Sequence, residues 1–265
     1  MAHVDLCSGI GGFALGFERA GLSKPVQFCD IEPWSRRVLG KHWPDVPIAE
    51  DVKELASDPD RNVFDCDILS SGYPCQPFSV AGNQKGAEDD RHIWPYIRKI
   101  VAHKRPTWCV FENVYGHIGL GLDEVLFDLE SEGYASRTFV VPACGVDAPH
   151  RRDRLWIVAN TDNPRQSTSK GESRSSQEGN NTRWLCENIS YADSQRGRLR
   201  NTEWQNAEDA GQPIQNEWAT EPSVGRVAHG IPKRVARLRG LGTAIVPQIA
   251  QRIGETIKQI EGREG

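Results

Sequence analysis

Val4-Asp5-Leu6-Cys7-Ser8-Gly9-Ile10-Gly11-Gly12-Phe13 joins a short apolar run, three closely spaced glycines and the start of a helical pattern. Val4-Asp5-Leu6 reads as a strand, and Phe13, Leu15 and Phe17 recur at helical spacing through to Ala20. Gly9, Gly11 and Gly12 between them make a tight strand-to-helix turn in which backbone can approach a ligand closely. By itself such a turn serves a nucleotide binder and a merely structural connection about equally well.

Outward from this unit the same alternation continues. Strand-like apolar runs at 26–29, 67–70, 108–111, 138–141 and 155–159 are separated by helical patterns that include 34–41, 93–103 and 122–132. Strands alternating with helices argue for a doubly wound α/β sheet that binds ligands at the carboxyl ends of its strands. The chain closes on a helical pattern over 244–260, where Ile245, Ile249, Ile253, Ile257 and Ile260 fall on one stripe.

The residue types that carry chemistry cluster at those strand ends. Asp67-Ile68-Leu69-Ser70-Ser71 runs into Gly72-Tyr73-Pro74-Cys75-Gln76-Pro77-Phe78-Ser79, so Cys75 stands on a stiff turn between two prolines. A lone cysteine is more often an inert buried thiol, but one placed there suits a thiolate that must attack something. Asp30 ends the second strand, where a carboxylate can accept hydrogen bonds from ribose hydroxyls. Phe111-Glu112-Asn113-Val114 closes the run Trp108-Cys109-Val110, and His150-Arg151-Arg152-Asp153-Arg154 precedes Leu155-Trp156-Ile157-Val158. On charge pattern alone an arginine cluster is usually a solvated face.

In this order these segments resemble the motifs of the DNA (cytosine-5-)-methyltransferases of bacterial or phage type. The string around Cys75 resembles that family's nucleophile motif, residues 5–13 its cofactor loop, Glu112-Asn113-Val114 its Glu-Asn-Val motif and Arg152-Asp153-Arg154 its Arg-x-Arg element. The run from Arg237 to Pro247 resembles the closing motif, with Thr243 where the family usually has asparagine, a departure that keeps a hydroxyl and loses the amide. The resemblance implies a Rossmann-like S-adenosylmethionine-dependent methyltransferase fold with a small, irregular recognition lobe. It also implies methyl transfer to carbon 5 of a flipped-out cytosine in duplex DNA through a covalent cysteine adduct. On it Cys75 is the nucleophile, Glu112 binds and protonates the base, and Arg152 and Arg154 face the active site. It assigns Cys7, Ser8, Gly9, Ile10, Gly11, Gly12, Asp30, Ile31, Asp51, Val52, Pro74, Trp94 and Thr243 to S-adenosylmethionine, with Asp30 at the ribose and Asp51 at the adenine amine. For its part Glu112 must hold a proton near neutral pH, which requires burial.

Length and composition bound the rest. The 265 residues suffice for one sizeable core and a small appendage. A hydrophobic content of 38% and a mean hydropathy of −0.55 are low for one compact domain, so some stretch must be polar. That stretch runs from about Asn160 to Thr220, rich in Ser, Asn, Gln, Thr, Glu and Arg, and cannot bury enough apolar surface to fold unaided. The expected organisation is a discontinuous catalytic domain, 1–160 with 229–265, around a reduced target recognition region, 161–228, with an interdomain linker as the plainer alternative for the latter. A formal net charge of −4 does not advertise nucleic acid, but Arg151, Arg152 and Arg154 form one basic cluster and Lys233, Arg234, Arg237 and Arg239 another. The odd count of seven cysteines, without paired Cys-x-x-Cys spacing, argues against a disulfide framework and against a zinc site. Cys7, Cys29, Cys66, Cys109 and Cys144 are expected in the core, in a reducing cytoplasm. The N-terminus enters the first strand without a signal peptide, and no apolar stretch approaches membrane-spanning length. The expected partner is double-stranded DNA, bound by a monomer; a cognate restriction endonuclease is compatible but not required. A transfer-RNA cytosine methyltransferase and a degenerate, non-catalytic DNA-binding relative are the alternatives.

Overall fold

The computed structural model describes residues 1–74, 93–162 and 240–262. Among them a seven-stranded sheet runs in the order β3-β2-β1-β4-β5-β7-β6, formed by β1 (Ala2–Leu6), β2 (Lys24–Cys29), β3 (Ile48–Ala49), β4 (Ile68–Ser71), β5 (Trp108–Val114), β6 (Ala135–Pro142) and β7 (Asp153–Asn160). From β3 to β5 every pairing is parallel, whereas β7 runs antiparallel to both β5 and β6. The chain winds outward from β1 to β3 in one direction and from β4 to β5 in the other, so the order reverses between β1 and β4. The carboxyl ends of those two strands, where Leu6 pairs with Ser71, therefore flank the crevice in which open α/β sheets take their ligands.

Helices cover both faces. Val4, Leu6, Leu69, Cys109, Phe111, Leu155 and Ile157 point to a core shared with α3 (Val52–Ser57), α5 (Trp94–Lys104) and α6 (Leu122–Ser131). Ile68, Trp108, Val110, Trp156 and Val158, one residue out of phase, point to a second core with α1 (Gly12–Arg19) and α7 (Pro247–Glu261). This period-two partition is what a sheet buried on both sides dictates. A smaller cluster seats Leu39 of α2 (Pro33–His42) on Phe28 and Ala14. The short α4 (Pro59–Asn62) completes the helices of defined bounds, and residues 240–243 form a further helical turn.

The isoleucine stripe is buried throughout, but the helix that carries it begins at Pro247, whose fixed φ suits a first helical position. Ile245 lies before it and packs over Gly12. α1 and α7 meet backbone to backbone: a Cβ on Gly16 would lie 2.5 Å from the Pro247 carbonyl oxygen and 2.6 Å from Ala250 Cβ.

Three differences from the sequence reading have physical causes. β5 extends beyond 111, because β7 pairs with it as far as Val114 after β4 has ended, so Glu112, Asn113 and Val114 lie within the strand. β6 and β7 are each longer than their apolar runs, since a hairpin ladder continues through polar residues such as Arg137 and Asp153. β3, α3 and α4 are too short to show a periodicity. Of the cysteines expected in the core, Cys29 and Cys109 are buried, but Cys7, Cys66 and Cys144 are half-buried. Among the described residues no helix is long and apolar enough to cross a membrane.

Candidate active site

The turn after β1 is shaped by three left-handed residues, Cys7 (φ 52°), Gly9 (φ 55°) and Gly11 (φ 85°). For glycine this costs nothing, whereas for Cys7 it is backbone strain of a kind that gathers at functional sites. Ser8 locks the turn to the strands beneath it: its Oγ donates to the Asp5 carbonyl at 2.5 Å, and its backbone N–H donates to the Cys29 carbonyl at 3.0 Å. Gly11 leaves room for the Trp43 ring, which would stand 2.5 Å from a Cβ there, and Gly12 does the same for Ile245.

Asp30 reaches across from the end of β2. Its carboxylate accepts the Gly9 N–H at 2.7 Å and the Glu32 N–H at 2.9 Å, so it binds the turn as well as facing the crevice. Burial raises its pKa, opposed by those two N–H groups. The neighbouring Ile31 is 70% exposed and gives the crevice an uncovered apolar face beside the carboxylate. Asp51 caps α3 by accepting the Lys53 N–H at 2.9 Å, and Val52 turns into the core. Gly9, Asp30 and Ile31 thus come together at the carboxyl ends of β1 and β2. Ile10 follows half-buried in the same turn.

Beneath the turn lies a polar chain that sequence reasoning did not single out. The Ser70 hydroxyl donates to Asp5 Oδ1 at 2.6 Å and lies 2.7 Å from His3 Nε2, with all three side chains fully buried. Burial pushes Asp5 up to about 8 and His3 down to about 3, so both are neutral at pH 7. The available signal was a run of polar residues, His3, Asp5, Ser70 and Ser71, at strand positions that the pattern requires to be buried.

The second group of residues stands at the end of β5. Glu112 lies diagonally across the antiparallel ladder from Arg154, and its Oε1 is 2.9 Å from Arg154 Nε. Glu112 is only 7% exposed. Burial raises its pKa to about 7, outweighing the opposing charges of Arg154 and Arg152. Its other oxygen, Oε2, faces Gly72, 3.8 Å from where a Cβ would stand. Arg152 has a different task. Its guanidinium donates to the carbonyls of Gly242 at 2.9 Å and Ala244 at 2.7 Å, tying the start of β7 to the segment that precedes α7. It too is held at positive φ, 40°. Thr243 lies within that segment, its hydroxyl 3.4 Å from the Gly240 carbonyl.

Gly72, Tyr73 and Pro74 follow β4 between these two groups, with Pro74 exposed. Cys75 itself lies outside the described residues, as do Lys233, Arg234, Arg237, Arg239 and almost all of 161–228. Trp94 is placed in the core rather than along the crevice, with its ring against Tyr73 and Phe111 and its indole N–H donated to Asp128 at 2.8 Å.

The chain is 32% identical over 168 residues to the Type II methyltransferase M2.BsuMI of Bacillus subtilis, covering 60% of this chain and 42% of that protein. It is 34% identical over 165 residues to the Type II methyltransferase M.NgoBI of Neisseria gonorrhoeae, covering 60% and 50%. The chain therefore spans about half the length of the curated relatives it matches. Among solved structures, the S. pombe Dnmt2 methyltransferase shares the fold with a TM-score of 0.54 at 24% identity, over 65% of this chain and 53% of that one. A putative DNA modification methyltransferase encoded within an E. coli prophage does so with a TM-score of 0.50 at 22% identity, over 61% and 47%. The model of the C-5 cytosine-specific DNA methylases matches residues 1–226, and the chain belongs to that family.

Proposed function

We propose that this chain transfers a methyl group from S-adenosylmethionine to carbon 5 of a cytosine in double-stranded DNA, through a covalent adduct with Cys75. The observation that carries the reading is the buried pair of Glu112 and Arg154, with the glutamate near pKa 7 at the strand end beside Gly72.

Carbon 5 of cytosine is too electron-poor to take up a methyl group directly. Addition of the Cys75 thiolate to carbon 6 breaks the ring's aromaticity and makes carbon 5 nucleophilic, dividing one hard step into easier ones. The negative charge of that addition falls on ring nitrogen 3, where a carboxylic acid can neutralise it. Arg154 Nε donates to Oε1 of Glu112, so the proton belongs on Oε2, the oxygen that faces Gly72. A glutamate that titrates near 7 both keeps this proton at neutral pH and gives it up readily. Loss of the carbon 5 proton then restores the ring and expels Cys75.

The turn after β1 fits the cofactor. Gly9 lets backbone approach it, Gly11 makes room for the Trp43 ring that backs the turn, Asp30 keeps lone pairs for ribose hydroxyls beyond those used by Gly9 and Glu32, and Ile31 offers the adenine an apolar face. Cys7, Ser8, Ile10, Gly12, Asp51, Val52, Pro74, Trp94 and Thr243 belong to the same proposed site, Ser8, Val52 and Trp94 from beneath it as supports. Bound there, S-adenosylmethionine supplies an electrophilic methyl group. A base inside a duplex cannot reach this crevice, so the nucleotide must flip out, at a cost of roughly a few kcal/mol. Residues 161–228 would choose the sequence, and Lys233 and Arg234 would hold phosphates.

The test is methyl transfer from labelled S-adenosylmethionine to duplex DNA, to transfer RNA and to no nucleic acid. Transfer to DNA is expected, with its loss in Cys75→Ser at unchanged cofactor binding. DNA carrying 5-fluorocytosine at the target should give a denaturation-resistant adduct, because fluorine cannot leave as a proton does. An active enzyme that forms no adduct would exclude the covalent route.

A further inference from the structure

Tyr73 lies on the segment that leads from β4 towards Cys75, and it is held by two partners, one on β5 and one on the turn that follows it. Its hydroxyl lies 2.9 Å from His117 Nε2, and its carbonyl accepts from Asn113 Nδ2 at 3.2 Å. Asn113 Oδ1 in turn accepts the Val114 N–H at 2.8 Å. His117 sits on the 3-10 turn Tyr115–Gly119, which follows β5 directly. Its ring meets that of Tyr73 edge-on, with centroids 5.5 Å apart, and a Cβ on Gly121 would lie 3.2 Å from its Cε1. Tyr73 also packs its ring on Trp94 and Phe111.

Packing alone does not call for these polar atoms. A phenylalanine would fill the Tyr73 pocket, and burying a hydroxyl and an imidazole is costly unless they bond to each other. What the pair adds is register. It ties the crossing at 72–74 to the end of β5 at one height, and Glu112 is carried by that same strand end. Burial lowers the pKa of His117, which disfavours the charged imidazole in this bond.

We propose that His117 is a positioning residue for methyl transfer: through the Tyr73 hydroxyl it sets the crossing from Gly72 to Pro74, and the chain entering Cys75, against Glu112. The inference rests on the function proposed above and adds a residue that does not itself touch the base or the cofactor. Misplacement by about 1 Å is enough to lower a reaction rate on the order of 100-fold.

The experiment uses the full chain and compares His117→Leu, His117→Gln, Tyr73→Phe and the double variant Tyr73→Phe/His117→Leu. Methyl transfer to duplex DNA, S-adenosylmethionine affinity by calorimetry and thermal melting are measured for each. His117→Leu and Tyr73→Phe should each lower kcat by about tenfold or more with cofactor affinity within about twofold, because an orientation is lost and not a binding contact. The double variant should be no slower than His117→Leu, since both changes delete one bond. His117→Gln, whose amide can reach the same hydroxyl, should recover most of the rate. Tyr73→Phe removes a single oxygen and keeps the packing, so the proposal stays exposed even where His117→Leu fails to fold. An active wild type with unchanged kcat in Tyr73→Phe overturns the inference. So does a glutamine variant as slow as the leucine variant. A wild type that methylates neither DNA nor transfer RNA overturns instead the function on which it rests.

Discussion

The turn after β1 and the end of β5 lie on the same edge of the sheet, two strands apart, and are made of different materials. The turn is held mainly by backbone: Gly9 and Glu32 N–H groups on Asp30, and Ser8 between two strand carbonyls. The end of β5 is held by charged side chains, Glu112 on Arg154, with Arg152 reaching to the segment before α7. On the function proposed above, a cofactor that arrives complete and leaves with one group fewer needs a fixed cradle. A base that changes charge during reaction needs groups that can trade a proton. The backbone supplies the first and cannot supply the second.

The strongest way to break this comparison is Glu112→Gln. It keeps the shape and removes the transferable proton, so methyl transfer should fall by about 100-fold to 10,000-fold while S-adenosylmethionine binding stays unchanged. In the wild type, loss of the Glu112 proton near pH 7 offsets the growing fraction of Cys75 thiolate, so kcat/KM should rise less steeply from pH 6 to 8 than it does in Glu112→Gln. Parallel profiles for the two proteins would show that the glutamate is not the acid. Next in size is Gly16→Val, which forces side-chain atoms into the Pro247 carbonyl and Ala250 and should cost about 2–3 kcal/mol of stability in a denaturant melt.

Asp30→Ala tests the other region. Removing this carboxylate frees the Gly9 and Glu32 N–H groups and should weaken S-adenosylmethionine binding by about 1–3 kcal/mol, without moving the pH profile set by Glu112. Unchanged affinity in calorimetry would remove Asp30 from the site. Asp5→Asn leaves both regions in place and acts on stability alone, through its dependence on pH. Asp5 is raised to about 8 in the folded protein, so its folded form holds a proton that the unfolded form releases above about pH 4. Its stabilising contribution is therefore complete below pH 4 and is lost as pH rises towards about 8. The asparagine variant, a neutral isostere, should show a flatter decline of melting temperature over that window. An identical decline would mean that Asp5 does not titrate there.

Much of this was legible in the chain itself, for reasons that differ by residue. Apolar runs located β1, β2 and β4, because strands buried on both faces are mostly apolar even where a few polar residues such as His3, Asp5 and Ser70 pair with one another. The isoleucine stripe located α7 for the same reason. The positions of Gly9, Asp30, Glu112 and Arg154 at strand ends followed from the α/β alternation. The division of labour between Arg152 and Arg154 could not be read, because both are arginines in one motif and only the fold of 240–244 separates their partners. His3, Asp5 and Ser70 were hidden in plain view: each is an ordinary polar residue until β1 and β4 are paired in register. His117 carried no signal at all, since its partner lies 44 residues away in the chain.

The contact of α1 with α7 also governs the order in which the molecule can be made. Lys258 Nζ donates to the Ala20 carbonyl across 238 residues of chain, and the Trp108 indole donates to Glu261 across 153. During synthesis β1, α1, β2, β4 and β5 leave the ribosome long before α7 exists, so Phe13, Phe17, Ile68 and Val110 wait with one face of the sheet uncovered. Contacts so distant in sequence slow folding, and a bare apolar sheet face invites association in the meantime. α7 is therefore the piece that covers a nascent, adhesive sheet face, and its translation sets the moment at which that face can close.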